Sequence, residues 1–169
     1  MNTLKIFSIA LLSSVTLGFS QDVNQARKAV DAEQYEKAKS ILKTIIKTNP
    51  IDGRANFILG NVYLIQTVTD SAKISFQRGL AGTEGSRLNY IGLGTIDLDN
   101  GNVTAAEANF ALALKDAKKK DIEELTAIGR AYTYSNKPNY KKAIEYLNKA
   151  KLINPNDALV QLALGDAFY

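Results

Sequence analysis

The chain has 169 residues, of which 46% are hydrophobic and 22% are charged, a composition typical of one globular domain. It contains no cysteine and no histidine, which excludes disulfides and removes the commonest general base and transition-metal ligand. The net charge of +4 comes from 21 basic and 17 acidic residues scattered along the chain. We therefore expect no nucleic-acid partner, which would require a concentrated basic stripe.

The first segment of the chain differs from the rest. Lys5 precedes an uncharged, largely apolar stretch from Ile6 to Phe19, and Gly18 and Ser20 stand at −3 and −1 of a cleavage site before Gln21. This layout predicts a cleaved secretory signal peptide over residues 1–20. A retained anchor is the alternative, but the stretch is shorter than the ~20 apolar residues of a spanning helix. We expect export to the periplasm or cell surface of a bacterium with an envelope, and no stable membrane span after cleavage.

A repeated pattern runs through residues 21–169. Gly60, Gly94, Gly129 and Gly165 lie 34, 35 and 36 residues apart, and each follows a large aliphatic residue. After three of these glycines, an alanine is followed four residues later by a bulky apolar residue: Ala72 and Phe76, Ala106 and Phe110, Ala143 and Leu147. An earlier copy lacks the glycine but keeps the other residues in step: Tyr35, Ala38, Leu42 and Pro50. Fixed spacing of this kind is typical of a repeat architecture.

Each copy is predicted to be an antiparallel pair of helices, A and B, with a small residue where they cross. Pro50 and Pro155 end B helices, because proline cannot continue the hydrogen-bond ladder. The "NGN" at 100–102 predicts a turn, and Thr104 with Glu107 predicts a capping box that opens the next helix.

The segment 158–169 predicts a last A helix, which no B helix follows in the sequence. We expect Leu164 and Phe168 to form an exposed end face on this helix. Either the natural chain continues, which we favour, or this open C-terminal helix is a docking surface that allows self-association.

The phased pattern resembles the tetratricopeptide repeat (TPR) over essentially all of residues 21–169, and in particular the start of exported envelope TPR proteins. The resemblance implies an all-α TPR solenoid of antiparallel helix pairs in a right-handed superhelix. Four repeats would span about 21–52, 53–86, 87–121 and 122–157, followed by the A helix of a fifth at 158–169. Glu84 and Lys118 replace the family's proline, and Asp97 replaces an aromatic residue.

In this family a ligand lies on the concave face of the A helices, and peptides are the usual occupants. The corresponding positions here are Arg27, Arg54, Phe57, Asn61, Leu64, Ile91, Thr95, Leu98, Thr126, Arg130, Thr133, Leu162 and Asp166. For Phe57, Leu64, Ile91 and Leu98, packing between neighbouring repeats is the alternative. The family's clamp for chaperone C-termini is absent, because Val23 and Leu88 stand where it has lysines. Arg27, Arg54 and Arg130 remain suited to an acidic ligand.

No stretch predicts an active site. The segment from Asp97 to Asn102 has the look of a calcium loop, but the glycine and glutamate that such a loop needs each miss by one residue. Glu123 and Glu124 are adjacent on a predicted helix, so they point in different directions and instead favour the helix dipole. Lys118 to Lys120 are interpreted as a solvated face.

We therefore expect no enzyme activity, no cofactor and no metal site. The predicted function is a non-enzymatic protein- or peptide-binding scaffold. The alternatives are a structural spacer or self-association module, or the recruiting arm of a longer chain with a C-terminal functional domain.

Overall fold

The computed structural model describes residues 22–115 and 121–169. The predicted signal peptide and Lys118 to Lys120 lie outside these residues. All regular structure within them is α-helical: α1 (22–31), α2 (Tyr35–Thr48), α3 (Gly53–Ile65), α4 (Thr69–Gly79), α5 (Ser86–Asp99), α6 (Val103–Leu114), α7 (Ile122–Tyr134), α8 (Tyr140–Ile153) and α9 (Ala158–Phe168). None of these helices is both long and apolar enough to cross a membrane. The predicted all-α fold is confirmed.

The helices form successive antiparallel pairs. Odd-numbered helices are the A helices of the repeats and even-numbered helices are the B helices. Within the pairs, α3 packs on α4, α5 on α6, and α7 on α8, while α9 packs on both α7 and α8. No single pair buries its apolar side alone, so the repeats stack into one continuous array.

Glycine at the helix crossings makes room for large side chains. The ring of Phe76 lies between Gly60 on α3 and Gly92 on α5, and a Cβ atom at these positions would come within 2.3 and 2.4 Å of the ring, respectively. Gly94 faces the ring of Phe110 in the same way, at 2.5 Å. These approaches explain the recurring glycine, because any larger residue would have to displace a fully buried aromatic ring.

The array curves with the A helices on the inside. The backbones of consecutive A helices from α3 to α9 pack closely on one another, whereas no two B helices approach as closely within the described residues, and α6 and α8 meet through the side chains of Glu107 and Lys142. An array in which one layer of helices converges and the other diverges is concave on the converging side. We call the inner surface formed by the A helices the concave face.

Two local expectations are wrong. Helix α6 begins at Val103 with Asn102 as its N-cap, so Thr104 forms no capping box and Glu107 instead pairs with Lys142 of α8. The helix begins two residues earlier than expected because Gly101 has a φ of +79° and the Asn102 amide donates to the Asp97 carbonyl, which completes the turn by Asn102.

The second correction concerns the end face. Leu164 is only 5% exposed, because it joins the main apolar core against which α9 packs. Phe168, by contrast, is 71% exposed.

Candidate peptide-binding surface

The concave-face positions divide into buried and accessible side chains. Ile91 and Leu98 lie in the main core, so for these two residues the packing alternative is the correct one. The side chains of Thr126 and Thr133 are also buried, and their hydroxyls donate to the carbonyls of Ile122 and Gly129 within α7. The accessible or partly accessible positions are Arg27, Arg54, Phe57, Asn61, Leu64, Thr95, Arg130, Leu162 and Asp166.

Two accessible arginines meet on one carboxylate. The Nη1 and Nη2 atoms of Arg54 donate to Oε1 and Oε2 of Glu123 at 2.7 and 3.0 Å, a bidentate contact. Arg27 Nη2 donates to the same Oε1 at 2.7 Å. The contact joins α1 and α3 to α7, which lies in the fourth helix pair. Glu123 therefore bridges the concave face between repeats that are not neighbours in the array.

The charges of this cluster support each other. Burial would raise the pKa of Glu123, but the hydrogen bonds from Arg54 and Arg27 outweigh it and hold that pKa below its ordinary value. Burial would likewise lower the pKa of Arg54, but the hydrogen bond to Glu123 keeps that pKa raised. Glu123 is consequently a charged carboxylate at neutral pH, and 42% of its side chain remains exposed.

A second arginine contact lies beside the first and is more enclosed. Arg87 Nη2 lies 2.7 Å from Oδ1 of Asp121 and 3.0 Å from Oε1 of Glu124, whose side chains are 9% and 12% exposed. The hydrogen bond that Arg87 donates to Asp121 chiefly raises the pKa of Arg87, while burial raises the pKa of Glu124. Glu123 and Glu124 therefore bind different arginines, and they do point in different directions as predicted.

The other end of the concave face is more open. The guanidinium of Arg130 lies over the ring of Tyr134, 5.6 Å from its centroid, and the Tyr134 hydroxyl donates to the Asp166 carboxylate. Burial and this hydrogen bond raise the pKa of Tyr134. Leu162, on the neighbouring α9, is 61% exposed. An apolar side chain, an accessible cation and a carboxylate thus lie on one surface.

The segment that has the look of a calcium loop links α5 to α6 and to the connection after α7. Oδ2 of Asp97 accepts from Asn109 Nδ2 at 2.8 Å, and Oδ1 of Asp99 accepts from the Asn136 amide at 3.0 Å. Within residues 22–115 and 121–169, no three histidine, cysteine or acidic side chains gather in a way that suits a metal ion.

Sequence reasoning missed three contributors to this surface: Glu123, Arg87 and Tyr134. A signal for Glu123 was available, because it stands at the same repeat position as Arg54, one that lines the concave face. Its place in the first turn of α7 offered the helix dipole as a sufficient explanation and obscured this second role.

Comparison with known proteins identifies the family. Models described as tetratricopeptide repeat match residues 23–86 and residues 127–157, which together include nearly all of α1, all of α2 to α4 and α8, and most of α7. No curated protein matches the sequence.

Solved structures resemble the chain. The chain is similar to Pseudomonas aeruginosa pilF, with a TM-score of 0.60 and 18% identity over 89% of this chain and 68% of that one. YrrB, described as a TPR protein with an unusual peptide-binding site, has a TM-score of 0.49 and 20% sequence identity, over 87% of this chain and 74% of that one. A tetratricopeptide repeat protein from Parabacteroides merdae has a TM-score of 0.49 and 18% sequence identity, over 88% of this chain and 58% of that one. The phased glycines, the helix pairs and the family matches agree, and this chain belongs to the tetratricopeptide repeat family.

Proposed function

We propose that this chain is an exported scaffold that binds a protein or peptide ligand on the concave face and catalyses no reaction. The observation that carries the proposal is the set of accessible side chains on that face, where Arg130, Leu162 and Asp166 lie together on neighbouring A helices. A surface that mixes apolar contacts with a few fixed polar groups suits an extended or helical peptide. The lack of histidine and cysteine removes the commonest general base and the thiolate nucleophile.

A matched pair of substitutions tests the binding face. Leu162 on α9 and Ile74 on α4 are similarly exposed, at 61% and 50%, but only Leu162 lies on an A helix. The full chain and its Leu162→Glu and Ile74→Glu variants are used to select binders from a random peptide library, and each selected peptide is titrated against all three proteins. Peptides bound by the wild type and by Ile74→Glu, but not by Leu162→Glu, support the concave face. Undiminished binding by Leu162→Glu would place the ligand elsewhere, and equal loss in both variants would show that the added charge acts without regard to the surface.

Export is supported by the pattern of Lys5, the apolar stretch and the small residues before Gln21. The test is expression from the natural start codon in an envelope-bearing bacterium, followed by fractionation and mass determination. Recovery in the envelope fraction with Gln21 as the first residue supports export. Retention in the cytoplasm with residues 1–20 intact contradicts it.

Self-association is a second candidate function, because α9 exposes Leu159 and Phe168 as well as Leu162. Exposed apolar side chains in one area are typical of interaction surfaces. Sedimentation of the wild type and of a Phe168→Glu variant distinguishes the two functions. An oligomer that the substitution dissociates favours self-association, and a monomer in both cases removes this candidate.

A further inference from the structure

We propose that Arg27 and Arg54, hereafter the arginine pair, form a subsite for a carboxylate of an acidic peptide ligand, and that Glu123 occupies this subsite as an internal competitor. The inference rests on the proposed function, because it concerns the same concave face. It adds the chemical class of the ligand and a mechanism that limits binding.

The geometry is that of carboxylate recognition. One carboxylate accepts three N–H donors from two guanidinium groups, including a bidentate contact from Arg54. A planar guanidinium makes the same contact with any carboxylate, whether it belongs to the chain or to a ligand. Two guanidinium groups share this one hydrogen-bonded carboxylate, and Glu84 and Glu124 also lie close enough to act on Arg54, so a ligand carboxylate binds by replacing Glu123 and not by adding to it.

The cluster is accessible enough for exchange. The side chains of Arg27, Arg54 and Glu123 are 39%, 28% and 42% exposed, in contrast to the enclosed carboxylates that face Arg87. Partly exposed ion pairs contribute little net free energy, so a ligand carboxylate can replace Glu123 at small cost. Glu123 also belongs to a different repeat from the arginines. Its side chain can therefore rotate away without moving either arginine from its own helix.

An internal competitor lowers the apparent affinity by the fraction of time it occupies the subsite. Replacing Glu123 with the isosteric, uncharged glutamine should therefore strengthen binding of an acidic peptide. For an ion pair of this exposure we expect roughly a two- to fivefold gain. A role for Glu123 confined to stability would give no such gain.

The test uses the full chain and a short fluorescein-labelled peptide of alternating glutamate and alanine with an amidated C-terminus. A glutamine and alanine peptide of the same length with a free C-terminus shows whether a terminal carboxylate suffices. Anisotropy titrations compare the wild type with Glu123→Gln and with the double variant Arg27→Gln, Arg54→Gln. The double variant Lys73→Gln, Arg78→Gln on α4 removes the same charge from a B helix.

We expect tighter binding by Glu123→Gln, loss of binding by the arginine variant, and wild-type binding by the α4 variant. Side-chain NMR signals of Arg27 and Arg54 should shift when the peptide is added to the wild-type protein, which needs no substitution. Unchanged or weaker binding by Glu123→Gln, equal loss in the α4 variant, or no binding of either peptide would overturn the inference. If neither peptide binds but library peptides remain sensitive to Leu162→Glu, the proposed function stands and only the carboxylate subsite is wrong.

Discussion

Arg54 and Glu123 form a bidentate ion pair across the concave face, although they belong to helix pairs separated by an entire repeat. Superhelical curvature brings these two side chains together, because the A helices converge on the inner side of the array. The contact therefore depends on the curvature of the whole solenoid as well as on the attraction between the two charges.

Glu123→Gln should lower the free energy of unfolding by about 0.5–1 kcal/mol at neutral pH, a modest figure because the pair is partly exposed to solvent. Urea unfolding measures the loss, which should shrink in high salt. Glu145→Gln is the matched control, because Glu145 pairs with Lys149 within α8 at the protein surface. We expect no measurable change in the free energy of unfolding from this substitution. Equal effects of the two substitutions would contradict the prediction.

The contribution of Glu123 should depend on pH with a definite sign. Its pKa in the folded protein lies below the ordinary value near 4.3. The stabilisation is therefore complete above that value and is lost as the pH falls through the lowered folded-state pKa. The wild type and Glu123→Gln should converge in stability under acid conditions. A difference that persists undiminished at low pH would show that the carboxylate charge is not responsible.

Tyr132→Phe should raise the free energy of unfolding by about 1 kcal/mol, because the Tyr132 hydroxyl is buried without a hydrogen-bond partner in the described structure. The ring and its edge-on contact with Phe110 are retained in the variant. Thermal and urea unfolding measure the change. Tyr134→Phe is the control, since this change removes the hydrogen bond to Asp166 and should give no gain. A loss of stability in Tyr132→Phe would indicate a partner for the hydroxyl.

The same residue predicts a stability change in alkali. Burial raises the pKa of Tyr132 to about 12, whereas an unfolded tyrosine titrates near 10. Between these values the unfolded chain has lost the proton that the folded protein keeps, so stability falls as the pH rises. Tyr132→Phe should lose less stability than the wild type over this range. Parallel pH curves for the two proteins would contradict the pKa shift.

Gly94→Ala and Gly165→Ala should have opposite effects, although both glycines occupy the same repeat position. A Cβ at Gly94 would lie 2.5 Å from the ring of Phe110, whereas nothing lies within 4 Å of a Cβ at Gly165. We expect Gly94→Ala to cost about 1–3 kcal/mol through overpacking. Gly165→Ala should gain up to about 1 kcal/mol, because alanine has the higher helix propensity. Denaturant unfolding measures the stability of both variants. A loss of stability in Gly165→Ala would contradict the predicted opposite effects.

The fold was predictable because the repeat is encoded locally. Gly60, Gly94 and Gly129 mark the crossings, and the residues that fill them follow 16, 16 and 18 residues later in the sequence. The position of Leu164 was predicted wrongly, because its burial depends on how α9 sits against two earlier helices.

The role of Glu123 was harder to predict. It lies 69 residues from Arg54 and 96 from Arg27, and only the accumulated rotation of several repeats determines that they meet. Spacing within one repeat carries no information about that curvature. The same limit applies to the contact between Tyr134 and Asp166, which joins two different repeats.

The contact between Arg27 and Glu123 also has a consequence for how the protein loses structure. A linear array of repeats frays from its ends, because a terminal unit is held by one neighbour only. Here α1 is tied directly to the fourth helix pair, so opening of α1 also breaks a distant ion pair. Amide hydrogens of α1 should therefore exchange with solvent more slowly than those of a free terminus, and Glu123→Gln should restore the faster exchange. A single side chain thereby gives a linear array of repeats part of the cooperativity of a closed domain.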